Sequence, residues 1–251
     1  MGIMGAGYGT LFAWFVGLIT LCVVYFKQIQ FPEYQLLQSF QLDIEILKKL
    51  VSFGLASGLR ITLLIFAIDL TILAFQSYGV EVSTAITVIF TWLQAHFIPV
   101  IGLEIGTMSL AGRFVGARNL DSASDSVFSG LFLVSVYTLI LSLACLVITP
   151  TMVNLFLEPD SSEETRDLAI WGTQLNAFIM SILAWSSILG GALRGAGDTY
   201  GVMIISAGFW WLQYALLVIL IHKFGLHPDE VLTIYVLSTP LLLIAIVNRY
   251  R

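Results

Sequence analysis

The chain has 251 residues, of which 58% are hydrophobic and only 11% are charged. Soluble domains carry about 25% charged residues, so this composition excludes a water-facing surface and indicates a protein that is dissolved in lipid. The net charge of −5, with Lys and Arg scattered along the chain, excludes a nucleic-acid-binding protein, which needs clustered basic residues. Cys22 and Cys145 both lie in apolar stretches, and we expect neither a disulfide nor a zinc site from them.

Apolar stretches long enough to cross a hydrocarbon core, which needs about 20 residues each, recur along the whole chain. Backbone polar groups in lipid must be paired internally, so stretches of this length predict helices and an all-α, polytopic transmembrane bundle. The first ten residues lack the basic segment of a signal peptide, and we expect the first helix to be retained. The seven predicted spans are 9–26, 52–76, 83–111, 127–150, 168–193, 200–221 and 231–248.

The longest connection, residues 27–49, contains apolar residues at spacings of three and four: Leu37, Phe40, Ile44 and Leu47. This spacing places them on one helical face and favours an amphipathic helix along the membrane surface. Acidic residues share the segment, and a packed linker is an equally good interpretation.

The basic residues predict the orientation of the chain. Only Arg166 and Lys223 lie in the breaks on one side of the predicted membrane. The prediction is a multi-pass protein of the cell membrane with a cytoplasmic carboxy terminus and an outside amino terminus. The basic residues of the opposite side are Lys27, Lys48, Lys49, Arg113, Arg118, Arg194, Arg249 and Arg251.

The second span contains a polar stripe. Thr62, Asp69 and Gln76 recur at steps of seven residues, which keeps them on one face of a helix. A stripe of this kind must face protein or water, because a charge at the centre of a membrane helix costs about 2.5–3.5 kcal/mol. Asp69 is therefore a candidate site for a cation or a proton, with a structural ion pair as the alternative. Arg60 is half a turn out of phase with Asp69, so the two residues cannot pair along their own helix.

The third span contains ionisable residues on both sides of Pro99. Proline removes a backbone donor and predicts a kink with polar groups around it. Glu104 is a candidate coupling group, or alternatively a partner that neutralises Arg60 or Arg113. His96 is a candidate proton carrier, although a lone histidine on an apolar helix is more often a packing residue.

The fifth and sixth spans offer amides and the neighbouring indoles of Trp210 and Trp211, a combination that suits organic cations. Tryptophans near helix ends are also ordinary interfacial anchors. The glycine-rich segments do not have the spacing of a phosphate-binding loop. The candidate cavity contacts are Thr62, Gln76, Gln94, Gln174, Asn176 and Gln213.

The most specific motif is Gly191-Ala-Leu-Arg-Gly-Ala-Gly-Asp-Thr199 at the end of the fifth span. It resembles the L-R-G-x-G-D-T signature of the MATE (multidrug and toxic compound extrusion) transporters of the MOP flippase superfamily. The segments Phe97–Leu103, Leu110–Arg113 and Gly116–Asn119 are similar to the eighth helix of that family, and Gly2–Thr10 is similar to the entry of its sixth helix. The signature residues to which the resemblance gives a structural or gating role are Leu193, Arg194, Gly195, Gly197, Asp198, Thr199, Gly112 and Arg113.

The resemblance covers nearly the whole chain and implies helices six to twelve of a twelve-helix fold. Residues 1–26 would be the last helix of the amino-terminal lobe, 27–49 a cytoplasmic linker and 50–251 the six-helix carboxy-terminal lobe. A missing six-helix lobe would be the partner. The sodium-coupled branch of the family is expected to carry carboxylates near positions 64 and 183, where this chain has leucines; Asp69 is a hypothetical substitute.

These observations predict part of a secondary active antiporter that exports small amphipathic or cationic organic compounds in exchange for protons or sodium by alternating access. The candidate coupling residues are Asp69, Glu104 and His96, and no cofactor or resident metal is expected beyond H⁺ or Na⁺ as the coupling ion. The alternatives are an inactive fragment, a lipid-linked precursor flippase and a seven-helix receptor-like protein. An enzyme is not expected, because no catalytic arrangement of side chains occurs at suitable helical spacing.

Overall fold

The computed structural model describes residues 2–28, 43–157 and 161–250, and within these residues it is helical without strands. Short 3-10 and π turns follow α2 and α6 respectively. The prediction of an all-α bundle is confirmed. The helices are α1 (Gly2–Gln28), α2 (Ile44–Phe75), α3 (Val80–Gly116), α4 (Leu120–Asn154), α5 (Glu163–Gly195), α6 (Thr199–Ile219), α7 (Pro228–Leu237) and α8 (Pro240–Tyr250).

Seven helical segments of the described chain are long and apolar enough to cross a membrane, with α7 and α8 together forming the last one. All seven predicted spans are therefore confirmed, but most of the helices are longer than predicted. The 37 residues of α3 extend for about 55 Å at 1.5 Å per residue, whereas the hydrocarbon core is about 30 Å thick. The helices are therefore longer than a crossing of the hydrocarbon core requires, and they continue into the polar breaks of the sequence.

The chain forms two compact units, Met1–Leu50 and Val51–Arg251. In the first unit, α1 is apolar along its length, and its side chains from residue 7 to residue 25 are exposed, including those of Tyr8, Phe12 and Trp14. A helix that is apolar on every side is suited to lipid or to other helices and not to water.

The predicted amphipathic segment lies partly outside the described residues, because Leu37 and Phe40 are not among them. The side chain of Asp43 accepts hydrogen bonds from the N–H groups of Glu45 (2.8 Å) and Ile46 (3.2 Å), which makes Asp43 the residue before the first turn of α2. Ile44 and Leu47 therefore belong to α2 and not to a separate interfacial helix.

In the second unit, α5 is the central helix. Its most apolar window is 67% buried, whereas no other span exceeds 39%. It packs chiefly against α3 and α4, and it also contacts α6, α7 and α8. Small residues along α5, among them Ala177, Ala184 and Gly190, are buried and let the neighbouring helices approach closely.

Glycines allow a close backbone contact where α5 crosses α3. A Cβ atom on Gly112 would lie 2.8 Å from the carbonyl oxygen of Gly195, and one on Gly191 would lie 3.0 Å from the carbonyl oxygen of Glu104. These neighbours are backbone atoms, which cannot turn aside as a flexible side chain can. Any larger residue at these positions would push α3 and α5 apart.

Hydroxyl groups join α4 to α5 within the membrane. The Ser181 hydroxyl donates to Thr138 Oγ1 (2.9 Å), and the Trp185 indole N–H donates to Ser135 Oγ (2.8 Å). Polar side chains in lipid need partners inside the protein, and interhelical hydrogen bonds of this kind supply them.

The last span is interrupted at Pro240, between α7 and α8. The N–H of Thr239 donates to Val236 O (3.1 Å), so the carbonyl of Tyr235 has no α-helical donor. Gln213 of α6 replaces that donor: its Nε2 donates to Tyr235 O (2.7 Å) and to Ser238 Oγ (2.8 Å). Gln213, a predicted cavity contact, is buried, and its amide nitrogen is engaged with the break in the last span.

Polar contacts fasten both ends of the second unit. At the end where α2 meets α3, here called the Tyr78 end, the Tyr78 hydroxyl donates to Leu226 O (2.5 Å) and Ser162 Oγ donates to Glu81 Oε2 (2.5 Å). At the opposite end, here called the Asp198 end, Arg249 donates to both carboxylate oxygens of Asp198 (2.6 and 3.2 Å).

The two turns at the Asp198 end have the same geometry. In each, the third residue after the helix donates its N–H to a carbonyl five residues earlier: Asn119 to Phe114 (2.9 Å) and Asp198 to Leu193 (2.9 Å). The same side chains then accept a backbone N–H at the start of the next helix, for Asn119 at 3.1 Å and for Asp198 at 3.2 Å. One residue thus ends one helix and caps the next.

These turns require a left-handed backbone one residue earlier, which Gly197 provides at φ +103° and Arg118 at φ +56°. Only glycine adopts this conformation without a steric cost, which is about 1–2 kcal/mol for other residues. Arg118→Gly should therefore raise the free energy of unfolding by about 0.5–1 kcal/mol, after allowance for the extra freedom of glycine in the unfolded chain. Thermal unfolding in a neutral detergent measures the change.

Gly197→Ala is the matched control, because it introduces the strain that Arg118→Gly removes. It should lower the unfolding temperature. Equal unfolding temperatures for the two variants would contradict this account of the turns.

Candidate functional site

A groove of about 580 Å³ opens at the Tyr78 end of the second unit, between the end of α2 and the first half of α3. Its volume lies within the range of about 300–1,000 Å³ that is usual for small-molecule sites. Its polar surface comes from hydroxyl groups and one amide, and one aromatic ring lies at its wall. The groove is lined by Gln76, Gly79, Val80, Ser83, Thr84, Thr87, Val88, Thr91 and Phe156.

Three threonines on the exposed face of α3 give the groove its polarity. The hydroxyls of Thr84, Thr87 and Thr91 each donate to the carbonyl oxygen four residues earlier, at 2.8, 2.8 and 2.7 Å. Because each hydroxyl hydrogen is used within the helix, the oxygen lone pairs are what the threonines present outward. The groove therefore carries a row of hydrogen-bond acceptors about 10 Å long, since seven residues of helix rise by this amount.

The threonine row is not among the residues predicted from the sequence. Threonines at 84, 87 and 91 have the spacing of one helical face, and this signal was present in the sequence. Threonine also satisfies its own hydroxyl in any membrane helix, so the spacing alone does not distinguish a groove from a lipid-facing surface.

The predicted stripe of α2 lies on the surface of the second unit. Thr62, Asp69 and Gln76 are all exposed, and Gln76 lines the groove. Asp69 lies two helical turns before Gln76 on the same face, at a distance of about 10 Å along the axis. A carboxylate inside a membrane-spanning helix needs water or protein beside it, so we expect Asp69 to face one of these and not lipid.

Two predicted residues of α3, Gln94 and His96, precede Pro99. Gln94 is exposed, whereas His96 is half-buried and stacks on Trp92 with ring centroids 5.8 Å apart. Trp92 in turn meets the groove-lining ring of Phe156 edge-on, at 5.3 Å. His96 is therefore two aromatic contacts away from the groove.

The amides predicted on α5, Gln174 and Asn176, are half-buried, and the groove-lining set does not include them.

A cluster of charged residues is buried further along the bundle, toward the Asp198 end. The carboxylate of Glu104 accepts a hydrogen bond from Arg194 on one oxygen and from Ser187 (2.5 Å) on the other. Arg60 of α2 also approaches, with its Nη2 3.8 Å from Glu104 Oε1. The side chains of Arg60, Arg194 and Glu104 are 17%, 10% and 7% exposed.

Glu104 forms an ion pair with arginine, as its structural alternative predicts. Of the two arginines predicted as its partners, Arg60 is near it, but Arg113 is exposed and Arg194 is the principal partner. A buried carboxylate held by a guanidinium and a hydroxyl is not presented to the groove, so these contacts favour the structural alternative over a coupling role for Glu104.

The signature residues nearest this ion pair support it through close backbone packing. Arg194 follows one helical turn after Gly191, whose Cα faces Glu104, and its Nε donates to the carbonyl of Gly190 (3.3 Å). Gly195 lies against Gly112 of α3. These contacts join the signature segment of α5 to α3.

The remaining signature residues form the α5–α6 turn. Leu193 packs on the core beside this turn, and Gly197 provides its left-handed residue. Asp198 caps α6, and Thr199 is buried as the first residue of that helix. Arg194 and Asp198 have different partners, because Arg194 binds Glu104 and Asp198 binds Arg249.

The described residues contain no group of three or more His, Cys, Asp and Glu side chains that could hold a metal ion. The groove therefore offers hydroxyl and amide groups for binding. The buried cluster offers one carboxylate and two guanidiniums.

An all-helical bundle with seven candidate spans, a polar groove and a buried ion pair defines a multi-pass membrane protein. The MatE family model matches residues 61–219, which is more than half of the chain. The chain belongs to the MatE family, and the predicted resemblance is confirmed.

Its relatives are described as transporters or multidrug resistance proteins and not as enzymes. It is 23% identical to the uncharacterized transporter YisQ of Bacillus subtilis (strain 168) over 235 residues, and 23% identical to the probable multidrug resistance protein NorM of Thermotoga maritima over 239 residues. Each alignment covers 90% of this chain and 48% of the relative. The chain thus spans about half the length of the curated relatives it matches.

A crystal structure of a MATE protein in complex with MaL6 shares the fold. It superposes with a TM-score of 0.80 at 18% sequence identity, over 96% of this chain and 56% of the other.

The buried ion pair generates a prediction about stability. Glu104→Gln leaves the guanidiniums of Arg194 and Arg60 buried without an anion, which should cost about 3–5 kcal/mol in the free energy of unfolding. Denaturant unfolding in detergent measures the loss. Glu164→Gln, at an exposed position in the first turn of α5, should change stability far less; a Glu104→Gln protein as stable as the parent would show that the ion pair is dispensable.

Asp198 generates a prediction about pH. Its hydrogen bond with Arg249 holds the pKa of the Asp198 carboxyl below its ordinary value, with partial burial opposing this shift. Because the pKa is lower in the folded state, the stabilisation is complete above the ordinary pKa of about 4 and is lost as the pH falls through the lowered value. Asp198→Asn should therefore flatten the dependence of the unfolding temperature on pH below about 4.

The alanine variant separates the two roles of Asp198. Asparagine can still cap α6, whereas Asp198→Ala also loses the cap, which is worth about 1 kcal/mol. Identical unfolding temperatures for the two variants near neutral pH would argue against the capping role.

Proposed function

We propose that this chain forms one lobe of a secondary active exporter for small amphipathic organic cations, exchanged for protons or sodium ions. The observation that carries the proposal is the groove at the Tyr78 end, which presents acceptors without a basic side chain among its lining residues. Membership of the MatE family supports a transporter in general, and the groove supports the class of substrate.

The chemistry of the groove suits a cation with an apolar body. Ammonium and amidinium groups are hydrogen-bond donors, and the threonine oxygens and the Gln76 amide oxygen accept from them. The ring of Phe156 supplies an aromatic face at one side. Val80 and Val88 supply apolar contacts for the rest of such a molecule.

Asp69 is the proposed coupling residue. It is the exposed carboxylate of the α2 stripe, about 10 Å from the groove-lining Gln76. A proton or Na⁺ on Asp69 would remove the negative charge that attracts an organic cation, so the coupling ion and the substrate compete. Competition of this kind is what an antiporter requires.

The proposed setting is the cell membrane, with the Asp198 end in the cytoplasm. The basic residues concentrate at that end, which agrees with the positive-inside rule. The groove would then open toward the outside. A second helical lobe, corresponding to the other half of the longer relatives, is the proposed partner across the polar face of α2 and α3, and alternating access would follow from rocking of the two lobes.

Binding of ethidium, an amphipathic cation, to the purified chain tests the substrate class. Thr87→Val keeps the shape of the side chain and removes its acceptor, so it should weaken binding about fivefold, since a typical hydrogen bond contributes about 1 kcal/mol. Fluorescence titration in neutral detergent measures the affinity. Thr233→Val is the matched control, because the Thr233 hydroxyl makes the same bond to a carbonyl four residues earlier outside the groove.

The coupling role is tested on the same complex. Acidification or added Na⁺ should release ethidium from the parent chain, and Asp69→Asn should abolish that competition. Asp125→Asn, which alters an exposed carboxylate near the Asp198 end, should leave it intact. Ethidium binding that neither Thr87→Val nor Asp69→Asn affects would refute the proposed function.

A further inference from the structure

The buried charge cluster contains two cations and one anion. Glu104 is engaged by Arg194 and by Ser187, whereas the Nη2 atom of Arg60 lies 3.8 Å from Glu104, beyond the length of a hydrogen bond. We propose that Arg60, with Arg194 behind it, binds an anionic group, a carboxylate or a phosphate, carried by an amphipathic molecule.

Arg60 is the less well partnered of the two arginines in the cluster. Its Nε is buried without a hydrogen-bond partner among the described residues, and its contact with Glu104 is the ion pair it makes there. A guanidinium has five N–H donors and does not lose its proton in proteins, so it cannot escape the cost of burial by becoming neutral. A cation inside a membrane-spanning helix is costly, and one that shares a single carboxylate with a second arginine favours the binding of a further anion.

The described carboxylates do not supply that anion. Glu104 is already engaged by Arg194 and Ser187. Asp69 lies nine residues after Arg60 on α2 and points half a turn away from it around the helix. The hydroxyl of Ser187 is directed to Glu104. The surplus positive charge therefore remains in the cluster.

The surroundings of Arg60 fit a molecule with both a charge and an apolar body. Arg60 is the most exposed member of the cluster, so a ligand reaches it before it reaches Arg194 or Glu104. Leu59 and Ile61 beside it are exposed, and a Cβ atom built on Gly58 would meet no atom within 4 Å. A planar guanidinium forms bidentate hydrogen bonds with a carboxylate or a phosphate, so either group is a suitable ligand for Arg60.

This site is distinct from the groove. Arg60 and the groove-lining Gln76 are sixteen residues apart on α2, about 24 Å along the helix, and the two sites have opposite polarity. The inference concerns binding and does not depend on export of cations. Its failure would leave the proposed function untouched, and the reverse is also true.

Two sources can supply the anion: the headgroup of an anionic lipid, or a soluble amphipathic carboxylate. The test uses the full chain, purified and delipidated in a neutral detergent, at constant ionic strength. Phosphatidylglycerol is compared with phosphatidylcholine of the same acyl chains, and benzoate is compared with uncharged benzamide. A ligand of the folded state should raise the unfolding temperature saturably, by about 5 °C at a hundredfold excess over its dissociation constant.

Three variants identify the site. Arg60→Gln should abolish the shift, Arg60→Lys should keep part of it, because the charge remains without the planar fork, and Arg113→Gln should keep all of it. Arg113 is the matched control, since it is an exposed arginine on the last turns of α3. Arg60→Gln removes a surplus buried charge, and circular dichroism checks that it folds; if it does not, the reduced shift of Arg60→Lys is the deciding measurement.

A shift with phosphatidylglycerol alone supports a lipid headgroup site, and a shift with benzoate as well supports a site for amphipathic anions in general. The proposal is overturned if neither phosphatidylglycerol nor benzoate raises the unfolding temperature saturably. It is also overturned if Arg60→Gln and Arg60→Lys show the same rise as the parent chain.

Discussion

The crossing of α5 over α3 holds the second unit together, and its physical basis is the requirement that polar groups in lipid find partners within the protein. Gly112, Gly191 and Gly195 bring the two backbones into contact, and this proximity places Glu104 within reach of Arg194. The glycines and the ion pair depend on each other. Larger residues in place of the glycines would move Glu104 away from Arg194. Without the ion pair, the glycine contact would lack a polar interaction between α3 and α5.

The bundle separates two kinds of polarity along its length. Hydroxyl and amide acceptors line the groove at the Tyr78 end, whereas guanidiniums gather around Glu104 toward the Asp198 end. A neutral acceptor surface attracts donors, and a surplus guanidinium attracts anions. Two binding events of opposite charge can therefore coexist on one lobe, about 24 Å apart along α2.

The turns at the Asp198 end show how local sequence is used twice. Gly116 to Asn119 and Gly195 to Asp198 end one helix and cap the next in the same way, although the left-handed residue is an arginine in one turn and a glycine in the other. The first turn carries the strain that the second avoids. Asp198 has the additional contact to Arg249 that ties the last helix to the turn.

The sequence by itself determined the helical spans, the exposed stripe of Thr62, Asp69 and Gln76, and the family, because hydropathy, helical periodicity and the Gly191–Thr199 motif are local properties. Only the tertiary structure decided that Arg194 and not Arg113 neutralises Glu104, that Gln213 serves the break at Pro240, and that the threonines of α3 line a groove. The physical reason is that the partner of a side chain in lipid depends on which helices lie adjacent and in what register. Helical periodicity gives the face of a residue but not the neighbour that the face meets.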